Sequence, residues 1–587
     1  MHLLGVLFKL ILFFSSCLGF WEFLRRRTNV NIYFLPVLTV AIQTTVLFCA
    51  GLLNILSEIS FLLEVAGIIL LIYFVIIDSG INWLKHYKKI GYVYFGVTLV
   101  AVLLTVNGKV VFHYDNFSHW ALVVKQMILT DRFPNFQDTV IVYQEYPLGS
   151  AAFIYYVAKI VGVAESVWMF AQAYMITVCI LPVFIYVRKN IIFSLIFMFL
   201  STNFIFIYVI SITDLLVDSL LPLACMSMLL YVYSYVGKNN YIIGFDQYLS
   251  VPFMIWILQI KNAGIYFVVL VSLWVLLGIK RRWTKIEKGY IRKALLISFL
   301  PYISIILWKK HCEYVFAEAG ISYHAMTVEN YLNRFNDKSL EDILTICGSW
   351  IKFCVTYQGV WLMFLGLFIG GIMCRVVYPK FQKHYYRGVL FAVVMYITYQ
   401  MGTLGMYIFS MPRGEAMVLA GSTRYCKSIL LAVFFVLLLL YMQIISELNF
   451  RSKKHFLVGI MAMTTVIVVW WLNSHSFNLF FDIEGDNRSV ERAWVENAVK
   501  QYDIPENASC CILVPEEKKG YLYYITRYVL GSAQVTRAVV DSMEDMEGVS
   551  DWDYLLIYDK DNPIIQEWLQ DYYPDQINQN VIVREKQ

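Results

Sequence analysis

The sequence predicts a polytopic α-helical membrane protein of about 12–14 spans, carrying a small α/β domain at its C-terminal end. Three observations predict it. Of 587 residues, 59% are hydrophobic and 15% charged, with a mean hydropathy of +0.62; a soluble chain would be roughly a quarter charged. Apolar runs of about 20 residues recur from the N-terminus to about Leu472, and a run of that length crosses a bilayer. After about Asn473 acidic residues become common and the long apolar runs stop. The division is therefore a membrane domain over 1–474 and an extracytoplasmic domain over 475–587.

The first segment, MHLLGVLFKLILFF, lacks a small-residue cleavage site and leads into Arg25, Arg26 and Arg27, so it reads as a retained span. Spans fit at roughly 3–22, 33–56, 59–77, 92–108, 167–187, 191–210, 217–236, 241–258, 263–279, 294–308, 353–373, 388–409, 427–446 and 456–473. Leu148 to Val161 is either an interfacial helix or a further span. Basic residues cluster at Arg25 to Arg27, Lys85 to Lys89, Arg188 with Lys189, Lys280 to Lys293, Arg375 to Arg387 and Arg451 to Lys454. Cytoplasmic loops carry that bias, so these clusters orient the chain with both ends outside. The net charge of +5 sits in those short loops and does not suggest nucleic acid. The 42 tyrosines and 41 phenylalanines suit wide interfacial belts.

Parity then puts the 109–166 loop, the Ser211 to Asp218 turn, the 309–352 loop, the Ser410 to Lys427 loop and the tail on the outer face, with Lys261 at an outer turn between two short spans. In the first loop Phe117, Trp120, Ala121, Val124 and Ile128 recur at helical spacing, which predicts a short helix lying on the bilayer, apolar stripe down. Asp115 and Asn116 are natural N-caps for it. The 309–352 loop, with Lys309, Lys310, His311, Glu313, Glu318, His324 and Glu329, reads as a folded outer loop without a specific motif. In the tail, Val490 to Tyr502, Tyr521 to Val529 and Asn562 to Tyr572 read as helices, and Cys510 to Val514 and Tyr554 to Tyr558 as strands. Cys510 and Cys511, adjacent on a strand, point to opposite faces. The eleven cysteines form no C-x-x-C pair, and neither zinc nor a disulfide framework is indicated. Asn487-Arg488-Ser489 and Asn507-Ala508-Ser509 match the glycosylation sequon, a pattern common by chance.

Asp115 leads the functional candidates. It is either a cap or a carboxylate placed to take a proton from a hydroxyl. His119 follows one turn later, as an interfacial structural histidine or a site residue. Asp214 and Asp218, four apart in ISITDLLVDSLLP, share a helix face, and like charges that close at a membrane boundary disfavour a purely structural role. Lys261 either snorkels or receives a phosphate. Arg413 and Arg424, in SMPRGEAMVLAGSTRYCKS, carry forks that match phosphate oxygens, with Tyr425 beside the second. Cations that hold a lipid phosphate and a carboxylate that deprotonates an incoming hydroxyl would glycosylate that hydroxyl from a lipid-phosphate sugar.

HYDNFSHWALVVKQMILTDRFPN, YQEYPLGSAAFIYYVAKIVG, ITDLLVDS, QIKNAGIYF and GSTRY, in that order and on one face, resemble elements of the GT-C superfamily of membrane glycosyltransferases. The resemblance implies a polyprenyl-phosphate sugar donor, a glycan or glycolipid acceptor, Asp115 as base, and Lys261, Arg413 and Arg424 near the donor phosphate. Glu145 belongs to the loop element, which here is Glu145-Tyr146-Pro147 where the family usually has His-Pro-Pro; Asp115-Asn116 likewise stands where Asp-Glu is frequent. Some relatives use a divalent cation, but no ligand set here demands one and no cofactor is expected. A multi-pass protein of a bacterial plasma membrane, active on its outer face, is the expected setting. A lipid-linked sugar flippase or transporter and an O-antigen-type polymerase or ligase are the competing readings. No internal repeat favours the first, and the short late outer loop disfavours the second.

Overall fold

The computed structural model describes residues 2–78, 82–235, 245–281, 288–317, 327–474, 478–483, 485–547, 549 and 552–584. Among them, 10 helices are long and apolar enough to cross a membrane: Gly5–Arg27, Ile32–Leu52, Leu56–Ile77, Glu165–Tyr186, Ile191–Tyr208, Gly289–Val315, Gln358–Val377, Pro379–Phe409, Ser422–Ser446 and Lys453–Ser474. Four shorter apolar helices, Ile90–Val106, Gly149–Val161, Leu220–Tyr235 and Gly264–Leu277, stand among them. In hydrocarbon each backbone group must be bonded within its own segment, so these apolar runs have helix as their one solution. Burial ranks them: 94% of the apolar stretch of Glu165–Tyr186 and 89% of Ser422–Ser446 are buried, against 22% for Leu56–Ile77. The first two form the bundle axis and the third its rim.

Helices approach closely where side chains are small. A Cβ on Gly19 would lie 1.9 Å from the Gly67 carbonyl oxygen, and one on Gly67 would lie 2.1 Å from Ser16 Oγ. Those positions let the first and third helices cross backbone to backbone. The basic end of the bundle is tied by Arg26 to Asp78 at 2.6 Å and by Asn190, which donates to the Ile445 and Leu448 carbonyls at 2.9 and 2.8 Å.

Four expectations need correction. Gly149–Val161 is 13 residues long, about 20 Å, too short to cross a core of about 30 Å. It is also buried nearly all round, so it is neither an interfacial helix nor a span but a wedge inside the bundle. Within the described residues the segment expected over 241–258 is the short helix Phe245–Tyr248 followed by the 11-residue helix Ser250–Ile260, which ends at Lys261. The 309–352 loop starts late, because the Ile303–Val315 helix carries Lys309, Lys310, His311 and Glu313 outward. Two further helices follow, Val328–Asn336 and Leu340–Thr356, the latter opened by a Ser339–Asp342 capping box; Glu318 and His324 lie outside the described residues. The loop expected up to Lys427 is shorter, since the last-but-one long helix begins at Ser422.

The tail is an α/β unit. Strands β1 (Cys510–Leu513), β2 (Val535–Ala538), β3 (Tyr554–Ile557) and β4 (Val581–Val583) form one sheet in the order β2-β1-β3-β4. β1 is parallel to β2 and β3, and β4 is antiparallel to β3. The helices Val490–Gln501 and Lys519–Leu530 pack on the Cys510 face, in one core with the membrane domain. Pro563–Tyr572 covers the Cys511 face. The two cysteines do point apart.

Candidate functional site

The first large loop leaves the Ile90–Val106 helix and turns into a π-turn over Asn116–Trp120, continued by the helix Ala121–Thr130. Asp115 immediately precedes that turn, yet its carboxylate makes no capping bond. It accepts instead from Arg424 Nη1, which comes 309 positions later. The capping expectation is therefore replaced by a long-range ion pair. The Asp115 amide donates to His113 Nδ1 at 3.2 Å, and burial holds the His113 imidazole below its ordinary 6.5. The helix does not lie on an open bilayer either. Phe117, Trp120 to Val124 and Met127 are all buried, because the tail covers the face that the bundle does not.

Asp214 and Asp218 sit on the irregular segment that precedes Leu220–Tyr235, not on a shared helix face. They point to different partners. Asp214 accepts from Asn116 Nδ2 at 2.8 Å and from the His113 amide at 3.3 Å, while Asn116 Oδ1 accepts from the Leu215 amide at 3.1 Å. Burial pushes the Asp214 carboxyl up to about 7, against the pull of those bonds. Asp218 accepts from Lys261 Nζ at 2.9 Å and lies 3.8 Å from Arg424 Nε. Burial alone would raise it, but the two cations outweigh burial and hold it below 3.8.

Lys261 reaches this point because the chain breaks there. It is extended (φ −162°, ψ 147°) between Ser250–Ile260 and the helix that resumes at Gly264. A Cβ on Gly264 would meet the Ile257 carbonyl oxygen at 2.5 Å, so glycine permits the tight restart. Arg424 stands in the first turn of Ser422–Ser446, and one turn on Ser428 Oγ donates to the Asp218 carbonyl at 2.8 Å. Lys261 Nζ lies 5.4 Å and the Arg424 guanidinium 5.7 Å from the centre of the Tyr425 ring. A continuous run of charge thus links Asp115, Arg424, Asp218 and Lys261, four residues from four separate segments. It lies at the end of the bundle opposite the basic clusters.

The other candidates stand apart from that run. Arg413 closes its fork on Asp342 at 2.8 and 2.9 Å, tying its short helical turn to the Leu340–Thr356 helix. The His119 ring packs edge-on between Trp120 and Tyr146, each with centroids at 4.8 Å, and burial pushes it down to about 3. It is a neutral imidazole in an aromatic cage. The Glu145 carbonyl accepts from Trp308 Nε1 at 3.0 Å, pinning the loop to the Ile303–Val315 helix. Among the described residues no group of three or more His, Cys, Asp or Glu side chains is arranged as a metal site.

Sequence reading missed the device that docks the tail on this loop. Arg492, 5% exposed at its side chain, grips Glu165 with both terminal nitrogens at 2.9 and 2.7 Å and donates to the Val111 carbonyl at 2.6 Å. Tyr528 donates to Glu165 at 2.7 Å, and Lys125 Nζ donates to the Tyr528 carbonyl at 2.6 Å. Asn487, in one of the two sequons, spends its amide on both backbone groups of Val110, at 2.7 and 2.9 Å. No local spacing marks these residues; only the separation of charges across an interface, invisible in a linear string, gives them a task. No protein-family model and no curated protein matches the chain, so its chemistry has to be read from the side chains themselves.

Proposed function

We propose that this chain is a GT-C-like membrane glycosyltransferase that moves a sugar from a polyprenyl-phosphate donor to a hydroxyl of a glycan or glycolipid, on the outer face of a bacterial plasma membrane. The observation that supports it is the single charge run from Asp115 through Arg424 and Asp218 to Lys261. In the transfer, the acceptor oxygen forms a bond to C1 of the sugar as the C1–O bond to phosphate breaks. The hydroxyl proton passes to Asp115, and polyprenyl phosphate leaves with its added charge countered by Arg424 and Lys261. Two carboxylates already balance the two cations, so a phosphate has to compete for Arg424. Its arrival would loosen Arg424 from Asp115 and free the base once the leaving group is seated.

The test is genetic and chemical. The gene is deleted, surface polysaccharide is profiled by linkage analysis, and the strain is complemented with wild type or Asp115→Asn. The expected result is a missing sugar linkage that wild type restores and the variant does not, with equal amounts of both proteins in the membrane. An unchanged glycan profile, or full restoration by the variant, would overturn the reading.

A further inference from the structure

We infer that the acceptor glycan lies along a tyrosine-lined surface between the first loop and the Lys519–Leu530 helix of the tail. This rests on the glycosyl-transfer reading above and assigns the tail its part in it. The helix has two unlike faces. Leu522, Ile525 and Tyr528 are buried against the loop and the sheet, whereas Tyr523 and Tyr524 keep part of their rings in water. Tyr114, 38% exposed, meets Tyr524 edge-on at 5.0 Å, and Tyr524 meets Tyr523 at 5.0 Å. Tyr143 stacks on Tyr146 at 5.3 Å, and its ring meets the His119 ring edge-on at 5.9 Å. Tyr146 meets the same His119 ring at 4.8 Å, one turn after Asp115. Arg537, exposed on β2, covers the Tyr523 ring at 5.0 Å. Tyr523, Tyr524 and Tyr114 thus form one edge-to-face row that ends at the residue before Asp115, and Tyr143 with Tyr146 forms a second group around His119.

Packing leaves part of each of these rings in water, where it gains nothing from burial. What they offer while half-exposed is specific. The electron-rich face of a tyrosine attracts the slightly positive C–H edges of a pyranose. The ring is rigid, so little side-chain freedom is lost on binding. An exposed guanidinium beside the rings adds donors for sugar oxygens. An uncharged polyol stacked on the rings, with its terminal hydroxyl toward Asp115, fits this row.

The experiment uses the full chain in detergent without donor, so that its outcome is independent of the complementation assay. Saturation transfer from protein aromatic protons is read on chitohexaose, cellohexaose, mannohexaose and maltohexaose. The expected result is transfer to ring protons of at least one of them, falling about five- to tenfold in Tyr524→Ala and Tyr143→Ala. Tyr524→Phe, which keeps the ring, retains most of it, and Tyr572→Ala on the far helix of the tail retains all of it. Each variant is compared at an unfolding midpoint equal to wild type. Transfer to none of the four, equal transfer in the alanine variants, or preferential transfer to a phosphatidylglycerol headgroup or a tyrosine-free octapeptide would overturn the proposal.

Discussion

Asp218→Asn removes the charge that separates two cations while keeping the shape of the side chain. The Asp218 side chain is 3% exposed, with Lys261 Nζ at 2.9 Å and Arg424 Nε at 3.8 Å. At an effective dielectric constant of about 20, those distances correspond to attractions of about 6 and about 4 kcal/mol. Much of that only offsets the desolvation of the carboxylate. Removing one member of such a group while the others stay typically costs about 3–5 kcal/mol. Lys261 and Arg424 keep 24% and 29% side-chain exposure, so water screens them in part and the lower end, about 3 kcal/mol, is expected. The assay is an unfolding titration in mixed micelles, run on wild type, Asp218→Asn, Lys261→Met and the double variant. The double variant should recover about 1–3 kcal/mol relative to the sum of the singles, because the second change removes a cation left unpaired by the first. The pH dependence has a definite sign. Asp218 is held below its ordinary value of 3.8, so its contribution is present above that value and is lost as pH falls from there through the lower folded value. Additive singles, each within about 0.5 kcal/mol of wild type, would refute the reasoning.

Asp214 should behave in the opposite sense. Its folded value of about 7 lies above the ordinary 3.8, so its contribution is present in acid and is lost as pH rises through that interval; Asp214→Asn should flatten the loss between about pH 4 and about pH 7 in the same titration. Arg413→Ala should leave the unfolding midpoint close to wild type, its side chain being 60% exposed, and leave sugar transfer intact, whereas Arg424→Ala should lower transfer about a hundredfold or more in a membrane assay with radiolabelled donor. Arg492→Met leaves Glu165 without its guanidinium, and hydrogen exchange in Val490–Gln501 and Lys519–Leu530 should speed up by about a hundredfold, equivalent to about 3 kcal/mol. Gly19→Ala places a methyl 1.9 Å from the Gly67 carbonyl oxygen and should lower the unfolding midpoint more than Gly5→Ala, which meets nothing within 4 Å.

The bundle was legible because hydrocarbon leaves a long apolar run no choice but helix, and the tail was legible where apolar runs alternate with turns. Strand β2 escaped because its VTRA stretch is largely open to solvent and carries no apolar run, and β4 because it is three residues long; both hold their place by pairing, not by pattern. Asp115, Asp218, Lys261 and Arg424 could be singled out because charge next to a membrane span is costly and the parity of the spans puts all four at one end. What each does there could not be read. Whether Asp115 caps a helix or pairs with Arg424 depends on a residue 309 positions away. Arg413 could not be told from a donor-site residue because its partner, Asp342, stands 71 positions upstream at the start of a helix that the pattern did not mark. The wedge Gly149–Val161 looked like a span or a surface helix because its composition is apolar; its depth is set by neighbours such as Gln259, whose backbone would clash with a Cβ on Gly149 at 2.7 Å.

The clasp between Arg492 and the Val111 carbonyl spans 381 positions. During synthesis, the segment bearing Asp115 therefore emerges long before the helix that covers it, and its upper face stays bare in the meantime. On the transfer reading proposed above, half-made copies would own the carboxylate but neither Arg424 beside it nor the roof above it, and would stay idle without a separate inhibitor.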